Sequence, residues 1–466
     1  MTNSIAFIVI CALFSSSLVS VTVDDRSEKD ITGKWFAILD VKVAQLKIIF
    51  SIEQLESELH ATMDIPDQHA IAIPMTSVTF ENGILRMEQA DSNIIIEGEY
   101  RQAEIHGVFK QNGQEFPFIL SRKETEKKPY IRPQEPQEPF PYLSEDIYFE
   151  NPIDGIKLAG TLVIPEGGNA YPAVIFITGS GAQDRDEKIC EHRPFWVIAD
   201  YLARRGIASL RYDDRGFAKS EGNFATATTY DLANDTASAV AYLKNRTEIS
   251  SIGLIGHSEG GIIAPMVASQ TEDVGFIILL AGTGKRGDEM LLMQQEAIMR
   301  ASGTAEEVIQ NNLSVNSLVF EFLLRSVDLA TFAEEAPAYL EEMLPQNSYT
   351  VPENLSIASF VSLFANPWFY EFIKLDPTLY LAKVRCPVLA LNGAKDMQVI
   401  AKENLAAIQA TLHQAGNKHV TIREYPNLNH LFQECATGLP DEYIQIEQTF
   451  SPDVLEDIAA WVKALN

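Results

Sequence analysis

Gly256-His257-Ser258-Glu259-Gly260 follows the apolar run Ile252 to Ile255 and precedes Gly261-Ile262-Ile263-Ala264. An apolar strand feeding a tight turn into a helix lifts the serine hydroxyl clear of the backbone at the carboxyl edge of a sheet. The glycines on either side of Ser258 suit such a turn. It strains the serine's backbone and neighbouring strands press on it, so no Cβ fits there. A hydroxyl placed in this way becomes a nucleophile only with a base to take its proton and a carboxylate to orient that base.

The chain has eight histidines, and His413, His419 and His430 are the ones in its last quarter. His413 falls on a helix face and His419 opens a strand. His430 lies in Asn427-Leu428-Asn429-His430-Leu431-Phe432, a loop just past the last apolar strand, where an imidazole can reach the serine. It is the expected base. The expected acid is Asp396, after the strand Val388-Leu389-Ala390-Leu391-Asn392-Gly393, because Asp376 precedes that strand and Asp441 follows the histidine. A turn aspartate capping local amides is the alternative reading of Asp396. An oxyanion on the attacked carbonyl needs preorganised N–H donors. One is expected from Glu259, next to the nucleophile at a helix start. The other is expected from Thr178-Gly179-Ser180-Gly181, with Ser180 the first candidate and Gly181 the second.

Around these residues, apolar strand patterns at 156–165, 173–178, 207–212, 252–257, 274–281, 387–392 and 419–425 alternate with amphipathic helix patterns at 194–205, 229–246, 259–270, 401–415 and 452–464. That rhythm predicts an α/β fold with a mostly parallel sheet covered on both faces. Residues 285–380 are too long for a crossover and helical in period, and are read as a helical cap inserted over the carboxyl edge. The cap ends in an aromatic cluster, of which Phe364, Trp368 and Phe369 are expected to wall a substrate pocket, the cap's own core being the alternative reading of the cluster. Upstream, residues 31–122 alternate in strand fashion, with turn signals at Glu81-Asn82-Gly83 and Gln111-Asn112-Gly113, and predict a small antiparallel β domain, a barrel or half-barrel. Gly33-x-Trp35 resembles the opening of lipocalin-like barrels, and a tryptophan packed under a barrel floor accounts for it equally well. Pro129, Pro133, Pro136, Pro139 and Pro141 make residues 123–142 an extended linker, so that 143–466 is a separate domain.

The 466 residues carry a net charge of -28, which excludes nucleic acid as a partner. The acidity is diffuse and reads as a solvated surface. Residues 1–20 contain no charged side chain and hold an apolar core followed by small residues, the pattern of a secretory signal, which implies a periplasmic or secreted protein. No other run is long enough to span a membrane. Cys190, Cys386 and Cys435 remain after such a leader, an odd count that does not describe a disulfide framework. No two-histidine zinc motif or dinucleotide loop is present, so neither metal nor cofactor is expected. Asp184-Arg185-Asp186-Glu187 reads as a solvated loop. Asp213, Asp214 and Arg215 read as a structural ion-pair corner under the site. Nothing in the sequence indicates an oligomeric state.

From about residue 144 onward the chain resembles the bacterial α/β-hydrolase serine esterases that bear a small N-terminal β domain. The matching stretches are Thr178-Gly179-Ser180-Gly181-Ala182-Gln183-Asp184-Arg185-Asp186, Arg211-Tyr212-Asp213-Asp214-Arg215-Gly216, Gly256 to Gly261, Asn392-Gly393-x-x-Asp396 and Asn429-His430. The resemblance implies carboxylester hydrolysis by Ser258, Asp396 and His430, with amide donors from Ser180 and Glu259. Ala218, where relatives usually have a second glycine, and Thr178, where many have histidine, depart from the pattern in two loops. The expected substrates are neutral small-molecule esters with short to medium acyl chains. An acylaminoacyl-type serine peptidase shares the same machinery. A periplasmic lipid-binding module on a residual hydrolase fold is the reading from outside enzymology.

Overall fold

The structure, a computed structural model, describes residues 30–465 except 42–43, 69, 112–113, 128, 169 and 353–354. The expected leader at 1–20 and the Asn112-Gly113 turn lie outside the described residues. The chain divides into two compact units, one ending at Ile131 and the other running from Arg132 onward.

The first unit is a nine-stranded antiparallel sheet: β1 (Gly33–Asp40), β2 (Gln45–Leu55), β3 (Glu58–Ile65), β4 (Ala70–Pro74), β5 (Ser77–Glu81), β6 (Ile84–Gln89), β7 (Ile94–Arg101), β8 (Glu104–Gln111) and β9 (Gln114–Ser121). Its spatial order is β4-β3-β2-β1-β9-β8-β7-β6-β5. Between β4 and β5, the Met75 N–H donates to Ala61 O at 2.9 Å and the Thr76 N–H to Glu88 O at 2.6 Å, which draws the two edges together as a barrel requires. Asn82 and Gly83 both have positive φ, 53° and 80°, as a two-residue hairpin turn demands. Trp35 is fully buried in this unit's core, donates its indole N–H to Ile31 O at 2.8 Å and lies under the Arg122 guanidinium. Packing therefore accounts for it.

The second unit carries a mixed eight-stranded sheet of β10 (Tyr142–Asn151), β11 (Ile156–Pro165), β12 (Tyr171–Ile177), β13 (Ala208–Tyr212), β14 (Ile249–His257), β15 (Phe276–Leu280), β16 (Val388–Gly393) and β17 (Val420–Tyr425). β10, β11 and β13 pair antiparallel at one edge, and parallel pairing runs β13-β12-β14-β15-β16-β17 across the rest. The edge strand β10 has no counterpart in the sequence reading, because polar residues alternate along its exposed face. The helices are α1 (Pro194–Ala203), α2 (Thr229–Lys244), α3 (Gly260–Ala268), α4 (Gly287–Ala301), α5 (Glu306–Arg325), α6 (Leu329–Asn347), α7 (Ile357–Ser362), α8 (Pro367–Lys374), α9 (Thr378–Leu381), α10 (Ala401–Gln414) and α11 (Pro452–Leu465). Side chains alternate across a strand, and β12 shows the result. Ala173, Ile175 and Ile177 join the core under α2, α3 and α10, while Val174 and Phe176 join the one under α1 and α11. Helices α4 to α9 fill the interval read as a cap and have an aromatic core of their own.

The parallel register sets Ile177 beside Gly256, His257 beside Leu280, and Gly393 beside Tyr425, so the loops after β12, β14, β16 and β17 all leave the same sheet edge. The proline-rich segment differs from a free spacer in its second half. The Arg132 guanidinium donates to the carbonyls of Cys190, Glu191, Ile444 and Ile446, and Gln134 pairs with the backbone of Thr449 and Phe450. Extended backbone cannot pair with itself, and these side chains fasten it instead.

In the same corner His192 is fully buried, with Nε2 at 3.0 Å from Tyr443 O and Nδ1 at 3.0 Å from the Thr449 hydroxyl. Burial pushes its proton affinity down, from 6.5 to about 4. The unfolded chain binds that proton below pH 6.5 and the folded one does not, so stability is complete above 6.5 and falls as pH drops toward 4. The loss is on the order of 3 kcal/mol. Chemical denaturation across this range should show that acid limb in the wild type and a flatter one in His192→Gln.

Candidate active site

Ser258 closes β14 with φ of +54°, in the left-handed region that only a forced turn gives a serine. The glycines around it make that turn possible. A Cβ on Gly256 would lie 1.9 Å from Gly260 O, one on Gly260 2.3 Å from Ile177 O, and one on Gly261 2.5 Å from Gly282 Cα. The Ser258 N–H donates to Leu280 O at 2.9 Å, which ties the turn to the end of β15. α3 begins immediately after, so the Glu259 N–H has no carbonyl a turn before it to pair with.

Asp396 and His430 come together as expected. His430 Nδ1 lies 2.8 Å from Asp396 Oδ2, and both side chains are buried. Asp396 Oδ1 accepts the N–H groups of Gln398 at 2.8 Å and Val399 at 2.9 Å. A carboxylate so placed accepts on both oxygens, so Nδ1 carries the imidazole proton and Nε2 keeps its lone pair. The two loops also clamp each other. Lys395 Nζ donates to the carbonyls of Cys435 and Ala436, and a Cβ on Gly393 would sit 2.1 Å from Leu428 O. Asn429 builds the base's loop: its Oδ1 accepts the N–H groups of Leu431 and Gln433, both at 3.0 Å.

The oxyanion loop approaches Ser258 from β12, where a Cβ on Gly179 would come within 3.3 Å of Ser258 Cβ. Ser180 is exposed, and Gly181 has φ of +94°. Asp214 holds the loop by accepting from the Thr178 hydroxyl at 2.8 Å and the Gln183 N–H at 2.9 Å. Burial pushes its carboxyl well above the usual range, against those hydrogen bonds. The ion-pair corner is thus divided: Asp213 pairs with Arg185, Arg215 with Asp235 and Asp154, and Asp214 makes neutral contacts.

Two readings are corrected. Asp184-Arg185-Asp186-Glu187 is not a solvated loop, since Arg185 reaches Asp213, Asp186 pairs with the buried Arg211, and Glu187 is itself buried. Phe364 and Phe369 face the cap's own core, with ring centroids 5.0 Å apart. Trp368 reaches the elbow, where its indole N–H donates to Glu259 Oε1 at 2.9 Å. The same oxygen accepts the Thr229 hydroxyl at 2.6 Å, so the residue expected for its backbone N–H also joins α2 and α8 through its side chain. Burial pushes this carboxyl above its ordinary 4.5, against the hydrogen bonds from Thr229 and Trp368. Sequence reasoning missed Glu187 and His257, which meet at 2.8 Å. The signal available was a histidine beside the nucleophile and an acidic run after the oxyanion loop.

Among the described residues no group of three or more His, Cys, Asp or Glu is arranged to hold a metal, and no helix is long and apolar enough to cross a membrane.

The fold and these loops define a serine hydrolase of the α/β-hydrolase class. The chain belongs to the X-Pro dipeptidyl-peptidase (S15) family, whose profile matches residues 154–424. Esterase EstD of Thermotoga maritima is 26% identical over 322 residues, 69% of each chain. The uncharacterized protein YfhR of Salmonella typhi is 31% identical over 128 residues, which cover 26% of this chain and 40% of that one. The solved Pyrococcus furiosus esterase Pf2001 aligns at 15% identity with a TM-score of 0.42, covering 73% of this chain and 99% of that one.

Trp368→Phe keeps an aromatic ring but removes the indole N–H, leaving buried Glu259 with one partner fewer. Calorimetry should show a loss of about 1–3 kcal/mol, and proteolysis should cut first within 285–380.

Proposed function

We propose that this protein is a carboxylesterase that hydrolyses neutral small-molecule esters with short to medium acyl chains through Ser258, His430 and Asp396. The observation that carries this reading is the buried 2.8 Å contact between His430 Nδ1 and Asp396 Oδ2, at the sheet edge where Ser258 is turned out at φ +54°. His430 Nε2 takes the Ser258 proton as the serine oxygen bonds to the ester carbonyl carbon. The carbonyl electrons move onto its oxygen, which the N–H groups of Glu259 and Ser180 receive. As the tetrahedral adduct collapses, the C–O bond to the alcohol breaks and His430 returns the proton to the departing oxygen. Water then repeats the sequence on the acyl-enzyme with the same base, releasing the acid and restoring Ser258.

Ester rather than peptide substrates are favoured by the likeness to EstD, which extends over 69% of both chains. The family profile at 154–424 supports a second reading, cleavage of peptides after an N-terminal X-Pro pair. The apolar leader-like stretch at 1–20 makes the enzyme a periplasmic or secreted one in this reading.

An organophosphonate should label Ser258 alone, and Ser258→Ala should abolish ester turnover without changing the melting temperature. Label mapped to another residue overturns the nucleophile. Asp396→Asn should lower kcat by up to about 10⁴.

Each acyl methylene buried adds about 0.8 kcal/mol. Along a p-nitrophenyl ester series, kcat/KM should therefore climb over the first carbons and fall for long chains. Faster turnover of X-Pro p-nitroanilides than of any ester would establish the peptidase reading, and a steady rise to long chains would make the enzyme a lipase.

A further inference from the structure

His257 is the last residue of β14, its side chain is buried, and its ring centroid lies 4.7 Å from that of His430. It lies among Phe195, Ile198, Leu280, Leu431 and Phe432, with one carboxylate, Glu187. Glu187 Oε1 is 2.8 Å from His257 Nδ1 and also accepts the Gly179 N–H at 2.9 Å. On the other side of the ring, Nε2 is 3.0 Å from the main-chain oxygen of His430. A carbonyl only accepts, so Nε2 carries a proton. Nδ1 and Glu187 then share one more proton, either as imidazolium facing carboxylate or as neutral imidazole facing carboxylic acid. Burial opposes the charge, but the Glu187 carboxylate, its hydrogen bond and the His430 carbonyl outweigh it and raise His257 above its ordinary 6.5. In either form one proton bridges the 2.8 Å between Nδ1 and Glu187 Oε1.

An ion pair buried among apolar side chains returns about what its desolvation costs, so fold stability is a weak reason for it to exist. Its connections supply a better one. Glu187 grips Gly179, the neighbour of Ser180; His257 is the neighbour of Ser258; and its far nitrogen grips His430 itself. The charged or titratable groups around His257 are Glu187 from the loop after β12, Asp396 from the loop after β16 and His430 from the loop after β17. The neighbours from α1 and β15 are apolar.

We infer that Glu187 and His257 form a buried positioning pair, which holds the oxyanion loop and the main chain of His430 in register with the Ser258 elbow without touching substrate. This rests on the reading of Ser258, His430 and Asp396 as the catalytic group. Catalytic groups must be held within about 0.5 Å of the productive geometry, and the three segments come from separate loops. Breaking the pair loosens the base and the oxyanion donors together and leaves the substrate pocket in place. The loss therefore falls on kcat and spares KM.

The test compares Glu187→Gln, His257→Gln and the double variant of the full chain in p-nitrophenyl butyrate turnover, with organophosphonate titration counting competent Ser258. Histidine ring ¹⁵N spectra report the state of the His257 nitrogens independently of turnover. Each single variant should lose about 10- to 100-fold in kcat per titrated site with KM little changed. The double variant should be no worse than the poorer single, because either change cuts the same link. The His257 Nδ1 signal should differ between the wild type and Glu187→Gln while Nε2 stays protonated, and Glu187→Asp should restore part of kcat. Wild-type kcat per titrated site in either single variant, additive losses, or a His257 Nδ1 signal unchanged by Glu187→Gln overturns the assignment. So does a failure of all variants to fold, which makes the pair a folding requirement. Absence of labelling and turnover in the wild type would instead remove the catalytic reading itself, whatever the ring spectra show.

Discussion

The left-handed backbone of Ser258 is the constraint around which the second unit is arranged. That conformation costs a non-glycine residue about 1–2 kcal/mol, and it persists because the surrounding chain leaves no alternative. β14 must stop, turn and enter α3 within two residues. Gly256 and Gly260 allow the strand and helix backbones to meet, and Gly261 allows α3 to lie against Gly282 beyond β15. The parallel register then matters in turn, since it brings the ends of β12, β14, β16 and β17 level. Loops leaving those ends share one edge, which is where open α/β sheets place their ligands.

Five buried carboxyl groups surround that edge, and each is managed differently. Asp396 accepts an imidazole and two amides, Glu187 an imidazole and one amide, and Asp213 the Arg185 guanidinium. Asp214 and Glu259 have only neutral donors, and burial pushes both upward. The difference follows from what faces each group. Asp396, Glu187 and Asp213 each face an imidazole or a guanidinium, whereas Asp214 and Glu259 face only hydroxyls, an amide and an indole, too little to offset their burial.

The cap is joined to this arrangement through the elbow. Trp368 stacks on Phe372 with centroids 4.8 Å apart and extends its N–H to Glu259, the residue that follows the nucleophile. The remaining aromatics of the segment, Phe360, Phe364 and Phe369, pack with Phe320 and Leu323 into a core of the cap's own. An aromatic cluster in an insertion has first to fold the insertion. Trp368 and Phe372, at its boundary, pack instead against the core of the sheet.

Much of the second unit was legible in the residues themselves. The elbow glycines, the alternation of apolar strands and amphipathic helices, and the chain order of Ser258, Asp396 and His430 are local or ordinal features, and strand and helix periods are properties of short windows. In the first unit the expected alternation was present, but its division into nine strands was not, because short strands with mixed faces show their period only against paired neighbours. The role of Glu187 required a partner 70 positions away, and that of Trp368 one 109 positions away. Charge counted along the chain made Asp184 to Glu187 look solvated; only tertiary packing put Arg211 and His257 opposite those acids and shut water out. Local periodicity determined which elements form. Which buried polar groups meet was decided by the tertiary structure, because the desolvation cost of each is offset only by a partner brought to it from elsewhere in the chain.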